Sequence, residues 1–215
     1  MVDRSAQLSS AAGYRYASAD ASHAHAYLFP CVLKILRQRL TNQNDRVFDL
    51  GCGNGAFARR LAGEGYEVTD VDPSVQGIAQ ARQARPCLRL EEGSAYEPLS
   101  ERFGTFPAVT SLEVVEHVYA PRAYARTLAE LLEPGGTAIV STPYHGYWKN
   151  LALALTGKMD RHFTALWDHG HIKFWSVRTL SILLTETGLA VNEVHRVGRI
   201  PQLAKSMILV ATKPQ

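Results

Sequence analysis

Cysteine is scarce in this chain. Cys31, Cys52 and Cys87 have neither metal-ligand spacing nor the even count of a disulfide framework. That excludes a small disulfide-stapled fold and gives the expectation of a reducing, cytoplasmic setting. Long apolar runs are also lacking. None exceeds the length of Leu151-Ala152-Leu153-Ala154-Leu155, far short of the ~20 residues of a membrane-spanning helix. Met1–Ser10 is polar and mixed in charge, without the apolar stretch of a secretory signal. The formal charge is +3, but lysine and arginine are scattered along the chain, so nucleic acid is disfavoured as a partner. No internal repeat or low-complexity tract occurs. What remains is ordinary globular composition: 215 residues, 46% hydrophobic and 20% charged, enough for one well-filled core. Histidine is unusual. Of eight, seven fall in two groups: His23 and His25, then His117, His145, His162, His169 and His171.

The richest segment is Val47-Phe48-Asp49-Leu50-Gly51-Cys52-Gly53-Asn54-Gly55, followed by the helical-looking Ala56–Leu61. An apolar strand runs into a carboxylate, then into three glycines at alternate positions. A strand, a glycine turn and a helix let a ligand approach bare backbone at the carboxyl edge of an α/β sheet. Gly51, Gly53 and Ala56 satisfy the dinucleotide spacing G-x-G-x-x-G/A. The longer pattern D-x-G-x-G-x-G, with Asp49 and Gly55, is that of an S-adenosylmethionine loop. Charge separates the two readings. A carboxylate here would repel a pyrophosphate but suits the ammonium of the methionine moiety.

Strand and helix patterns alternate downstream. Arg46–Leu50, Tyr66–Val71, Cys87–Leu90, Pro107–Leu112 and Thr137–Ser141 read as strands. Asn54–Ala62, Ser74–Arg82, Ala123–Leu132 and Val177–Thr187 read as helices. Ser22–Leu40 carries a helical pattern interrupted by Pro30. Ala190–Val197 and Met207–Ala211 are strands too close together for a helical crossover, which makes them antiparallel neighbours. The fold class is therefore α/β: a Rossmann-like, doubly wound, seven-stranded, mostly parallel sheet ending in an antiparallel hairpin. It is read as one domain over residues 1–215, with an N-terminal helical cap over 1–43. Residues 143–174 form an insertion at a strand carboxyl end, long enough to be functional and expected as a substrate-side lid.

These segments together resemble the class I S-adenosylmethionine-dependent methyltransferases. Within them the sequence is similar to the branch containing the ubiquinone-biosynthesis O-methyltransferases, over roughly residues 44–213. The segments carrying the likeness are Val47–Gly55, Val68–Ser74, Gly93-Ser94-Ala95, Leu112–Val118, Leu131–Gly136 and Val140–Pro143. The resemblance implies S-adenosylmethionine as cofactor and S-adenosylhomocysteine as product. Gly51, Gly53 and Gly55 would pack under the methionine part, and Asp49 would anchor its ammonium. Asp72 would accept the ribose hydroxyls, with Pro73 and Ser74 bordering the adenine. Ser94 and Ala95 would meet the adenine edge, and Leu112, Glu113 and His117 would lie beneath the methyl. Asp70 stands where the family often has a small residue and is read as a solvated turn acid.

Glu113-Val114-Val115-Glu116-His117 matches an E-x-x-E-H segment that can hold a divalent metal in related enzymes, with His171 as downstream partner. The competing reading, helix capping beneath the cofactor, is preferred, so a metal is not favoured. His145 and His171 are the candidate bases. Tyr16, His25, Tyr144, Trp167 and His169 are the candidate acceptor contacts, with Tyr14, Tyr147, Phe163 and Trp175 as further apolar walls. The expected reaction is methyl transfer to a small acceptor, foremost a hydroxyl of an aromatic or quinol-like compound. N- or C-methylation, methylation of an RNA terminal ribose, NAD-dependent oxidoreduction and a non-catalytic binding module stand as alternatives.

Overall fold

The computed structural model describes residues 23–40, 44–84, 88–168 and 170–215. Helix α1 (His23–Arg39) precedes strand β1 (Arg46–Leu50), helix α2 (Ala56–Gly63) and strand β2 (Glu67–Asp72). Next come α3 (Val75–Ala84), β3 (Arg89–Glu92), α4 (Leu99–Phe103) and β4 (Phe106–Leu112). The chain continues through α5 (Pro121–Glu130), β5 (Leu132–Pro143), α6 (Tyr147–Leu155), α7 (Met159–Phe163) and α8 (Val177–Thr185). It ends with β6 (Ala190–Val197), a 3₁₀ turn (Pro201–Leu203) and β7 (Ser206–Thr212).

The seven strands form one sheet in the order β3-β2-β1-β4-β5-β7-β6. Strands β1 to β5 pair in parallel, and β7 runs antiparallel between β5 and β6. The order reverses between β1 and β4, which opens the crevice where open α/β sheets bind ligands. Two apolar layers cover the sheet. One joins Phe48, Val109, Val140 and Leu209 to Tyr124 and Leu128 of α5 and Leu180 and Leu184 of α8. The other joins Val47, Ile139 and Ile208 to Leu28, Val32 and Leu36 of α1 and Phe57 and Leu61 of α2.

Several local expectations change. Helix α1 passes through Pro30 without a break. The proline removes one backbone donor, but Leu28, Val32, Ile35 and Leu36 are all buried around it and hold the helix to the sheet. Helix α2 starts at Ala56 rather than Asn54, because Gly53 (φ 59°) and Gly55 (φ 67°) are left-handed. Strand β5 is longer than expected: Leu132 pairs with Phe106, and the ladder resumes with Thr137 against Ala108. The Glu133–Gly136 turn is looped out between them and tied down by Gly135 N–H to Lys213 O and Lys213 N–H to Gly136 O, each 2.9 Å. Helices α4 and α7, five residues each, are too short to show a helical period in sequence.

Asp70 is the clearest correction. It is fully buried, not solvated. Because β2 continues to Asp72, Asp70 lies inside the strand, in register with Asp49 of β1. Neither of its carboxylate oxygens has a hydrogen-bond partner. Burial and then the charge of Asp49 push it well above the usual carboxylate range.

Candidate active site

The crevice is built first from the turn after β1. Gly51 (φ 89°), Gly53 and Gly55 all occupy the left-handed region, where a side chain is strained. A Cβ on Gly51 would lie 2.6 Å from Val114 Cγ2, and one on Gly55 2.8 Å from Ala81 Cβ. The turn is therefore pressed against both the β4 end and α3, and only glycine fits.

Asp72, at the end of β2, locks this turn. Its Oδ2 accepts the Gly53 N–H and its Oδ1 the Ser74 N–H, both at 2.8 Å. Ser74 Oγ in turn accepts the Gly77 N–H at 3.1 Å. Burial pushes Asp72 up to about 6, restrained by those two N–H donors. The neighbouring strand end is tied in by Gly93 N–H to Asp72 O, 3.2 Å. That sets buried Ser94 and half-buried Ala95 beside it. Asp49, 2% exposed, accepts a 2.6 Å hydrogen bond from Thr110 Oγ1. Burial raises it to about 7, opposed by Thr110 and reinforced by Asp72. The sites expected for ribose, adenine and ammonium thus converge on the carboxyl ends of β1, β2 and β3.

Leu112 is buried at the end of β4, and Glu113 follows at φ 56°. A non-glycine residue there stores strain of the kind found at functional positions. Ser141 holds it in place. Glu113 N–H donates to Ser141 Oγ at 3.0 Å, and that hydroxyl donates to Glu113 Oε1 at 2.9 Å. Burial raises Glu113 to about 7, against hydrogen bonds from Ser141 and Ser206 and the charge of Lys149. Glu116 is 1% exposed, with neither carboxylate oxygen in a hydrogen bond of normal geometry.

The insertion closes over this acidic pair. Ile172 N–H and Lys173 N–H donate to Glu116 O at 2.9 and 3.0 Å. His117 Nδ1 lies 3.1 Å from Gly170 O; a carbonyl only accepts, so Nδ1 carries the proton. His117 and His171 rings meet at 4.9 Å, and Trp167 lies 5.2 Å from His171. Ligand atoms of Glu116, His117 and His171 fall within 4.8 Å of one another, a carboxylate–imidazole set that could hold a divalent cation. Glu113 stands outside that set.

His145 belongs to a neighbouring aromatic group. Its ring stacks on Phe163 at 6.0 Å and 14°, and meets Phe174 at 5.1 Å and His162 at 5.3 Å. Burial, then the charges of Lys149, His162 and His171, push His145 down to about 4. Burial, then His117 and His162, take His171 to about 4 as well. Both imidazoles are neutral across the physiological range and available as acceptors.

The other expected contacts are not all at this site. His25 packs on Phe57 at 5.9 Å and, by burial and the charge of Arg60, is lowered to about 4. It therefore sits on α1 with its ring packed against α2. Tyr144 is 8% exposed, and its ring fills the space where a Cβ on Gly146 would project. Trp175 is a core residue whose Nε1–H donates to Val115 O at 3.0 Å, while Tyr147 is exposed. Pro73 is half-buried beside Asp72. Tyr16 and His169 lie outside the described residues, as does Tyr14.

Sequence reasoning missed four residues. Tyr27 of α1 shares a 3.0 Å hydrogen bond with Ser206 Oγ, and its hydroxyl is raised by burial and by the charges of Glu113 and Glu116. Ser141, Ser206 and Lys149 complete the surroundings of Glu113. Only the position of Ser141 at the end of an expected strand hinted at this. Tyr27 and Ser206 meet across 179 residues of chain.

Comparison with known proteins agrees with this geometry. A family profile described as a methyltransferase domain matches residues 21–194, and the chain belongs to that family. Fold and loop together define its class, a class I S-adenosylmethionine-dependent methyltransferase. Among individual proteins, it is 37% identical over 144 residues to a ubiquinone biosynthesis O-methyltransferase of Caulobacter sp. (strain K31), covering 60% of this chain and 57% of that protein. It is 28% identical over 153 residues to the protein of that name from Aromatoleum aromaticum, covering 69% and 65%. The chain thus spans between half and two-thirds of these two relatives. In structure it is similar to a protein from Pyrococcus horikoshii (TM-score 0.68, 20% identity, 89% of each chain). It is also similar to the magnesium protoporphyrin IX methyltransferase of Synechocystis with bound S-adenosylhomocysteine (TM-score 0.64, 18% identity, 86% and 82%). At these identities the likeness is one of fold. No helix among the described residues is long and apolar enough to cross a membrane.

Proposed function

We propose that this methyltransferase transfers a methyl group to a hydroxyl of an aromatic or quinol-like small molecule. The observation that carries the reading is the group of rings formed by His145, Phe163 and Phe174, on the chain that follows the carboxyl end of β5, the strand beside β4. Flat rings favour a flat acceptor. The neutral His145 imidazole supplies a proton acceptor at the same wall. The names of the curated relatives point the same way.

S-adenosylmethionine supplies a methyl group on a sulfonium, a good leaving group, so the protein's main task is alignment. Asp72, already oriented by Gly53 and Ser74, accepts the ribose hydroxyls. Asp49 faces the ammonium, and the glycine turn leaves room for the methionine part. Ser94, Ala95 and Pro73 border the base. Either His145 or His171 accepts the acceptor's hydroxyl proton as its oxygen attacks. The 143–174 segment serves as the acceptor-side lid.

A metal-assisted variant has one specific observation in its favour, the cluster of buried, unbonded Glu116 with His117 and His171. The contact from His117 Nδ1–H to a carbonyl is the kind that orients a ligating imidazole. These three residues would hold the ion, which would supply Lewis acidity toward an acceptor hydroxyl. The metal-free reaction is the primary reading, and loss of turnover on exhaustive chelation, restored by magnesium, manganese or zinc, would replace it. The main test is a screen of catechols, quinols and amines with isotopically labelled S-adenosylmethionine. O-methylated product with stoichiometric S-adenosylhomocysteine is expected. Label confined to nitrogen or carbon products would overturn O-methylation.

A further inference from the structure

The acceptor side of the crevice holds an ammonium that the methyl-transfer scheme does not use. Lys149, in the first turn of α6, is half-buried, and its Nζ donates to Tyr144 O at 2.8 Å. An ammonium has three donors, and the other two have no partner among the described residues. Several segments place it there. Tyr144 N–H is held by Lys205 O at 2.9 Å, and the Arg196 guanidinium lies 5.1 Å above the Tyr144 ring. Gly198 (φ 90°) lets the β6–β7 turn close against Lys205, since a Cβ there would lie 2.9 Å from Lys205 Cβ. That turn packs on α6 and carries Arg199, whose charge reaches Lys149.

The charges around Lys149 are mostly of its own sign or neutral. Burial and then Arg199 depress its pKa, and only Glu113 raises it. Glu113 is itself bonded to Ser141 and forms no ion pair with Lys149 within 4 Å. The Nζ bond to Tyr144 O sets the ammonium at the residue before His145, and both His145 and His162 feel its charge. Elsewhere, arginines such as Arg39, Arg46 and Arg122 have carboxylate partners. Among the described residues neither Lys149 nor Arg199 has one. A partly desolvated cation with no carboxylate at ion-pair distance is costly, and a ligand anion would relieve that cost.

We propose that Lys149 and Arg199 form an anion-binding subsite in the acceptor pocket, so that the preferred acceptor carries a carboxylate or phosphate beside the ring that is methylated. This rests on the acceptor reading above and narrows its substrate class. Lys149 gives a point charge with two donors at the pocket wall, and Arg199 a fork from the exposed turn.

The test is calorimetric, on the full chain loaded with S-adenosylhomocysteine. The probes are 3,4-dihydroxybenzoate, its neutral methyl ester, and inorganic phosphate as competitor. The acid should bind about tenfold or more tightly than the ester, as one charge-assisted contact implies. Lys149→Met should bring acid and ester to within about twofold, and Arg199→Gln should narrow the gap by about threefold. Cofactor-product affinity should be unchanged in both. Displacement of the acid by phosphate would identify a site open to phosphorylated acceptors, and its absence one tuned to carboxylates. Equal binding of acid and ester to the wild type, or no measurable binding of any anion, overturns the proposal. So does a full acid preference in the double variant. If Lys149→Met fails to fold, Arg199→Gln on the exposed turn decides alone, and an unaltered preference there refutes the pair. A wild type that binds no S-adenosylhomocysteine would refute the methyltransferase reading instead, while the acid–ester comparison on the cofactor-free chain still decides the subsite.

Discussion

Replacing Asp72 tests the proposed cofactor site most directly, because one carboxylate holds the glycine turn and, in the proposed function, also accepts the ribose hydroxyls. Its oxygens each accept a backbone N–H at 2.8 Å, from Gly53 and Ser74. A carboxylate offers about four lone-pair sites, so two remain for the two ribose hydroxyls. Asp72→Ala removes the ribose acceptors and also leaves two buried N–H groups unpaired, loosening the glycine turn. Each charged hydrogen bond contributes about 1.5–3 kcal/mol, and part of that loss is shared with the cofactor-free protein. The net loss in binding should be roughly 1–3 kcal/mol, or about 5- to 150-fold in Kd. Asp72→Asn keeps the shape but turns an NH₂ toward one of the two backbone donors, so it should fall between alanine and wild type. Titration calorimetry with S-adenosylmethionine and, separately, S-adenosylhomocysteine measures the effect, and a thermal melt checks folding. The ribose is common to both ligands, so both should weaken equally. Unchanged affinity for both would refute the assignment. A loss confined to S-adenosylmethionine would show that Asp72 faces the sulfonium rather than the ribose.

The raised values of Asp72 (about 6) and Asp49 (about 7) exceed those of an unfolded chain, so the cofactor-free fold binds extra protons between pH ~4 and ~7. Its stability should therefore fall as pH rises through that window, by roughly 3 kcal/mol for Asp72 alone, as denaturation at several pH values would reveal. S-adenosylmethionine brings cationic charge and should bind more tightly as pH rises over the same range, releasing protons measurable in buffers of different ionisation enthalpy; pH-independent binding without proton release would count against both carboxylates. Whichever of His145 and His171 takes the proton should, when replaced by alanine, cut turnover by about 10²–10⁴-fold with cofactor affinity intact; near-normal turnover in both variants would leave alignment as the whole of catalysis. Replacing residues 146–168 by a short linker spares the Glu116 and Val115 contacts of Ile172, Lys173 and Trp175. It should preserve cofactor binding and abolish methylation; a shortened chain that still turns over would make the insertion scaffolding.

The glycine turn after β1 and the carboxylate at the end of β2 were legible in the sequence. The glycine turn and Asp72 are legible because their requirements are local: positive φ at Gly51, Gly53 and Gly55, and a carboxylate at a strand end. Alternating strand and helix patterns carried the doubly wound sheet for the same reason, since each period is written within a dozen residues. Only the tertiary structure decided what surrounds Glu113 and Lys149. Pairing of Pro143 with Ser206 brings β7 beside β5, and that register, set by burial of Ile208 and Val210, carries Ser206 to Tyr27 and Glu113. Asp70 became a buried neighbour of Asp49 through strand register alone. The turn that carries Arg199 packs on α6, about fifty residues earlier in the chain. Contacts between residues so far apart leave no periodic trace in either segment, because each is fixed by how the two surfaces fit rather than by its own neighbours.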